Sequence, residues 1–323
     1  MSADRPLVVV TRRWPAPVEA RLCESFDTRL NETDEPFTKA QLREALAAAD
    51  ALCVTVTDRL DAACFEGLVP KVRLIANFGV GFNHIDRDAA ARHGIRVSNT
   101  PGVLTDCTAD LAMTLLLMTA RRTGEGEREL RAGRWQGWRP THLLGTRVSG
   151  KTLGIVGAGR IGLALAQRAR FGFGMKILLS GRSAIRPEVL NPLDAEDCTL
   201  DELLNRSDFV SLHCPATPET RHLIDAQRLA RMPAHGILVN TARGDIVDES
   251  ALAAALARGQ IGGAGLDVYE REPEVNAQLL DLENVVLLPH LGSGSRETRI
   301  AMGMCALNNL RACFDGQPLP NPV

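Results

Sequence analysis

Short apolar runs alternate along this chain with longer segments whose apolar positions recur three or four residues apart. Runs at 7–11, 52–57 and 72–77 read as buried strands, with a helix over 39–49 between two of them. They make one small α/β unit before residue 100. Asn99-Thr100-Pro101-Gly102 is a turn-rich junction. A long helix follows over about 106–122, then a strand at 152–157, a helix at 161–171 and a strand at 176–180. Further strands are expected at 209–214, 236–240, 263–268 and 285–288. Helices fall between them, including 250–258 with Gly259 as its C-cap. A last amphipathic helix covers about 294–314. The first unit lacks a closing helix, so this one is expected to pack back against it. The regular alternation predicts parallel sheets of the α/β class.

Composition narrows the function classes. At 323 residues the chain can build two cores, and a hydrophobic share of 45% with 24% charged residues is ordinary for a globular protein. A net charge of −2 gives no electrostatic footprint for nucleic acid or an anionic membrane, and 4% aromatics with one Tyr offers little base-stacking surface. The most apolar stretch, residues 111–120, is far short of the ~20 residues a membrane span needs, and reads as a buried helix. The beginning MSADRPLVVV reads as a first strand and not a signal peptide. Eight cysteines without a CxxC pair make a structural zinc site improbable and read as reduced thiols, which places the protein in the cytoplasm.

The run Gly157-Ala158-Gly159-Arg160-Ile161-Gly162 follows an apolar strand and opens a helix. In that context a GxGxxG has a physical job. Gly157 permits a tight turn, Gly159 lets the backbone approach a pyrophosphate, and Gly162 lets helix and strand pack closely. The N–H groups of Arg160 and Ile161 at the helix start would meet the phosphates. A site favouring NAD places Asp or Glu about 20 residues on, for the ribose 2′-OH. From Phe171 to Pro187 there is no acid. Ser180, Arg182 and Ser183 stand there instead and suit a 2′-phosphate, which predicts NADP(H) with NAD(H) as the alternative.

Three further motifs end predicted strands: Asn240-Thr241-Ala242-Arg243-Gly244, the stretch from Gly265 to Pro273, and Leu288-Pro289-His290-Leu291-Gly292. Ligands of open α/β sheets bind outside the carboxyl ends of the strands, so all three are expected at one edge.

With VGAGRIG, NTARGDIVDE, GLDVYEREP and LLPHLGSGS in this order, the chain resembles the D-2-hydroxyacid dehydrogenase family over essentially its whole length. Glu272 lies 29 residues past Arg243, and His290 lies 18 past Glu272. Within the family, TPGVLTDCTADLAMTLLLMTARR, GRWQGWRP, LLSGRS and ALNNLRACFDGQPLPNPV are most similar to NADPH-dependent glyoxylate/hydroxypyruvate reductases. The resemblance implies that Arg243 clamps a 2-oxo acid carboxylate and polarises its carbonyl. It implies that His290 donates a proton while Glu272 holds the imidazole, and a carboxylate there favours imidazolium. Val80 and Gly81 would hold the substrate carboxylate on a glycine-loop nest. Thr241, Asp267 and Gly292 would face the nicotinamide half of the cofactor, and Pro215 would pass beneath it. Trp138 would cross a homodimer interface to border the partner's substrate pocket.

The implied fold is two Rossmann-like or flavodoxin-like parallel-sheet domains flanking a cleft. The cofactor domain, residues 99–290, is inserted in a discontinuous substrate domain of residues 1–98 and 291–323. The implied reaction is NADPH-dependent reduction of glyoxylate or hydroxypyruvate to the D-2-hydroxy acid, with no metal. Rival readings are a reductase of bulkier 2-oxo acids, a phosphoglycerate dehydrogenase, and a nucleotide-sensing co-repressor-like module. A phosphorylated substrate would need additional cations near Val80, and the loop from Phe78 to His84 supplies only His84.

Overall fold

A computed structural model describes residues 5–323 and divides the chain into two compact units. One unit runs to Leu104 and resumes at Gly294; the other is Thr105–Ser293. The divisions thus fall a few residues later than 98/99 and 290/291. The long apolar helix begins at Thr105, and the chain re-enters the first unit just before its last helix.

In the first unit, β1 (Leu7–Val10), β2 (Asp27–Arg29), β3 (Ala51–Val54), β4 (Leu74–Asn77) and β5 (Arg96–Ser98) form a sheet ordered β2-β1-β3-β4-β5. Every pairing is parallel. β3 and β4 are buried along their whole length, which is why they read as unbroken apolar runs. The polar edge strand β2 and the short β5 carry no such run and escape sequence detection. One face is covered by the core around Leu42, Leu46, Phe65 and Ile75. On the other, the helices Ala16–Ser25 and Arg296–Phe314 meet where Gly303 lies against Val18; a Cβ on Gly303 would stand 2.6 Å from Val18 Cγ1.

The last helix does pack back onto the first unit, but its amphipathic segregation is weaker than expected. Its buried stripe includes Thr298 and Asn309. Asn309 Nδ2 donates to Cys305 O at 2.9 Å and Oδ1 accepts from Asn321 N at 3.0 Å, fixing the C-terminal residues.

The second unit holds β6 (Thr152–Val156), β7 (Lys176–Ser180), β8 (Ala195–Asp197), β9 (Phe209–Leu212), β10 (Ile237–Asn240), β11 (Gly263–Leu266) and β12 (Val285–Leu287). Their order is β12-β11-β10-β9-β6-β7-β8, again all parallel. The doubly wound pattern puts a topological switch point between β6 and β9. Helix Thr105–Ala120 lies on the sheet over Gly263 and Gly265, whose missing side chains leave room for Leu115 and Thr119. The expected helix at 161–171 is Arg160–Gln167 followed by one π-helical turn, Arg168–Gly172. Among the described residues no helix is long and apolar enough to cross a membrane.

Candidate active site

The glycine run occupies the switch point of the second unit. Gly157 turns with φ +102°, and a Cβ there would stand 2.6 Å from Cys214 N. A Cβ on Gly162 would stand 2.3 Å from Gly157 O. Gly159 differs: beyond its chain neighbours, a Cβ there would meet no atom of the described residues within 4 Å. Protein packing therefore demands two of the three glycines. The third is explained by a ligand whose phosphates approach the backbone closely. Gly159 is also the N-cap of helix Arg160–Gln167 and contributes no side-chain cap, which leaves the first-turn N–H groups for an anion.

Ser180 ends β7 buried, and its carbonyl accepts the Gly157 N–H at 2.8 Å. Arg182 and Ser183 follow on the exposed turn. Across the switch point, Glu219 is held below its ordinary carboxyl value, first by Thr217 hydrogen bonds and also by the Arg182 charge. Pro215 is exposed after β9, its carbonyl accepting Thr220 Oγ1 at 2.7 Å. Thr241 Oγ1, after β10, is buried without a hydrogen-bond partner among the described residues. An unmet hydroxyl and an unneeded glycine at strand ends fit a dinucleotide.

The strand-end motifs converge within this unit. Asn240 folds the turn after β10, its Nδ2 donating to Arg243 O at 2.8 Å and its Oδ1 accepting from Ala242 N at 3.0 Å. Arg243 Nη1 donates to Ala242 O at 2.6 Å. Gly244 lets this turn press on the next one: a Cβ would stand 1.9 Å from the Tyr269 carbonyl carbon. In that next turn Glu272 Oε1 accepts the Tyr269 N–H at 3.0 Å, and Oε2 lies 2.7 Å from His290 Nδ1. A carboxylate only accepts, so Nδ1 carries the proton and Nε2 is left for chemistry.

Asp267 fixes the third turn. Its Oδ1 accepts Leu291 N–H at 2.6 Å and its Oδ2 accepts Gly292 N–H at 2.7 Å. Its carbonyl takes the His290 N–H at 2.9 Å. His290 is thereby held at φ +54°, a conformation a non-glycine residue adopts only when its surroundings impose it. Burial pushes the Asp267 carboxyl up. At Glu272 burial also pushes upward, but His290, the Tyr269 N–H and the Arg243 charge outweigh it and hold the carboxyl below its ordinary value.

That depression has a sign in stability. The Glu272 contribution is present above the unfolded carboxyl value of roughly 4.3 and is lost as pH falls through the lower folded value. In thermal melts from neutral to acid pH, the wild type's advantage over Glu272→Gln is expected to shrink on acidification. An advantage that is constant with pH would contradict the pairing.

In the first unit the loop after β4 is organised through its carbonyls. Asn77 Nδ2 donates to Gly79 O at 3.1 Å and to Gly81 O at 2.9 Å, and Asn99 Nδ2 donates to Val80 O at 2.8 Å. The Thr100 N–H takes Gly79 O at 3.0 Å. With the carbonyls engaged on the protein side, the Val80 and Gly81 N–H groups have no protein acceptor among the described residues. Two adjacent N–H groups are thereby left for an acceptor that is not protein. Sequence reasoning named Val80 and Gly81 but missed Asn77 and Asn99; asparagines bracketing a glycine loop were the available signal. His84, at the far end of the loop, has Nε2 3.1 Å from Asn77 Oδ1. Trp138 lies in the second unit beyond helix Thr123–Arg131 and is 82% exposed.

A family model described as D-isomer specific 2-hydroxyacid dehydrogenase, NAD binding domain, matches residues 113–292. The chain belongs to the D-isomer-specific 2-hydroxyacid dehydrogenase family. As a member it is a nicotinamide-dependent oxidoreductase. This dehydrogenase is 45% identical to a glyoxylate reductase of Thermococcus litoralis, over 99% of this chain and 97% of that one. It is 42% identical to glyoxylate/hydroxypyruvate reductase B of Serratia proteamaculans, over 99% and 98%. Its structure is similar to that of an NADPH-dependent glyoxylate/hydroxypyruvate reductase from Sinorhizobium meliloti in complex with NADP and malonate. That likeness has a TM-score of 0.87 at 37% identity, covering 99% of this chain and 97% of the other.

Proposed function

We propose that this dehydrogenase reduces glyoxylate or hydroxypyruvate to the D-2-hydroxy acid with NADPH. The observation that carries the reading is the 2.7 Å contact of His290 Nδ1 with Glu272, on turns that Gly244 and Asp267 bring to the Arg243 strand end. The relatives' names support the substrate class.

When bound, the nicotinamide supplies a hydride to C2 of the 2-oxo acid. His290 Nε2 gives the carbonyl oxygen its proton, and Glu272 stabilises and orients the imidazolium that is spent. Arg243 binds the substrate carboxylate and draws charge onto the carbonyl oxygen, and the Val80 and Gly81 N–H groups serve the same carboxylate. Gly157, Gly159, Arg160, Ile161 and Gly162 would hold the pyrophosphate. Thr241, Asp267, Gly292 and Pro215 would serve the nicotinamide half, though both Asp267 oxygens already accept backbone N–H groups.

Ser180, Arg182 and Ser183 would take the 2′-phosphate. The carboxylate-free β7 turn supports this assignment, as does the NADPH-dependent structural relative. Steady-state kinetics with glyoxylate, hydroxypyruvate and phenylpyruvate, each with NADPH and NADH, tests both halves of the reading. Arg182→Gln is expected to lower the NADPH-over-NADH ratio of kcat/KM by about tenfold or more, the worth of one charge-assisted hydrogen bond. An NADH preference in the wild-type enzyme would reject the phosphate assignment.

A homodimer belongs to the same proposal. Leu130, Trp135, Trp138 and Leu144 are all exposed within a short stretch, which supports a second copy covering Trp138. All eight cysteines are free thiols, which supports a reducing, cytoplasmic setting.

A further inference from the structure

The first unit has a topological switch point of its own. Its strand order reverses direction between β1 and β3, and in doubly wound sheets the crevice at the carboxyl ends of such strands is where ligands bind. A cleft of about 490 Å³ lies there. Arg12, Arg13 and Trp14 line it from the end of β1, Thr55 and Thr57 from the end of β3, and Phe78 from the end of β4; Arg299 comes in from the last helix.

Two observations give this cleft a chemistry. Trp14 is 5% exposed, and its ring lies 4.6 Å from that of Phe78. Its Nε1–H is buried without an acceptor among the described residues, and such a donor is costly to leave unmet. The charge is also one-sided. Three guanidinium groups line the cleft against one carboxylate, Asp34, whose Oδ1 lies 2.9 Å from Arg12 Nε and accepts the Arg13 N–H. The Arg13 guanidinium makes no hydrogen bond or ion pair among the described residues. The other nearby acids are turned elsewhere: Asp58 onto Thr11 and Thr55, and Glu19 onto the Trp14 backbone N–H.

Phe78 joins this cleft to the Gly79–Gly81 loop, with its unmet Val80 and Gly81 N–H groups. Sequence alone offered only His84 as a cation near Val80. The fold brings arginines from residues 12, 13 and 299 to the same strand ends.

We propose that the cleft is a subsite for a second anionic group, carboxylate or phosphate, at the far end of the 2-oxo acid. The enzyme then accepts dianionic 2-oxo acids, with the first carboxylate on the Val80 and Gly81 N–H groups. This rests on the reading of that loop as the substrate carboxylate site. The second group meets Arg13 and the Trp14 N–H, and the Trp14–Phe78 pair covers the carbon chain between the two anions.

The test compares wild type, Arg13→Gln and Trp14→Phe with glyoxylate, oxaloacetate, 2-oxoglutarate and phosphohydroxypyruvate. Phenylalanine keeps a ring against Phe78 and removes only the N–H donor and its five-membered ring. At least one dianionic acid is expected to be reduced by the wild type. Each variant is expected to lower kcat/KM for that acid by about tenfold relative to glyoxylate, mainly through KM. Preference for the dicarboxylates or for the phosphate ester identifies the second group. Equal ratios in all three proteins, or no reduction of any dianionic acid beside active glyoxylate reduction, would overturn the subsite. Should no 2-oxo acid be reduced at all, the proposed function falls first, and calorimetric titration with 2-oxoglutarate still decides on the cleft. Weaker binding to both variants supports it, and equal binding in all three proteins rejects it.

Discussion

Replacing His290 with alanine is expected to lower kcat for glyoxylate reduction by about 10²–10⁴-fold, the usual worth of a positioned general acid. The imidazole is fixed on one side by Glu272 and, through its own backbone and that of Leu291 and Gly292, on the other by Asp267. Loss of the ring removes the proton donor while leaving those backbone bonds in place. The fold is therefore expected to survive, with a melting temperature only modestly below that of the wild type: the Glu272 pairing goes with the ring, but the side chain is 30% exposed and fills no core. Cofactor affinity, read by titration of the intrinsic fluorescence, is expected to change little. Unchanged turnover in a folded His290→Ala protein would end the assignment of His290 as proton donor.

The second large effect separates two glycines three residues apart. Gly162→Ala is expected to damage the fold, because its Cβ would stand 2.3 Å from Gly157 O and 3.0 Å from Ile155 Cγ2, neither of which can move without shifting β6. Overpacking of this kind costs roughly 1–3 kcal/mol or more, enough to lower the melting temperature by several degrees. Gly159→Ala places its Cβ in open space and is expected to melt with the wild type. Its penalty falls on the dinucleotide, whose phosphates need that approach. Differential scanning calorimetry paired with cofactor titration reads both. Parallel losses in stability from the two substitutions would refute the claim that only Gly159 is reserved for a ligand.

The parts legible in the sequence were those in which local pattern and tertiary role coincide. β6 and β7 are apolar runs because they are central and covered on both faces, and the motifs at their ends follow from strand direction alone. β2 and β8 were not legible, since edge strands of three residues need little apolar surface. The Arg243, Glu272 and His290 motifs could be ordered along the chain. The contacts that assemble them could not: the Gly244 approach to Tyr269 and the Asp267 grip on Leu291 and Gly292 join positions about 25 residues apart. Asn77, Asn99 and the arginine-lined cleft belong to the same class. Their meaning lies in which strand ends are neighbours, and sequence spacing does not encode that.

The discontinuity of the first unit has a consequence for how the protein is made. Its sheet is laid down by Ser98, yet the second of the two helices that cover one face starts at Arg296, and the Val323 N–H bonds to Val97 O at 3.1 Å. At a synthesis rate of 5–20 residues per second, the intervening stretch takes roughly 10–40 s to emerge. Throughout that interval one face of the nascent first sheet carries only the helix Ala16–Ser25, and the second unit gains its last segment only as the interval ends. A ribosome stalled within the second unit would leave the half synthesised first without its second covering helix and without the Val323 bond to Val97.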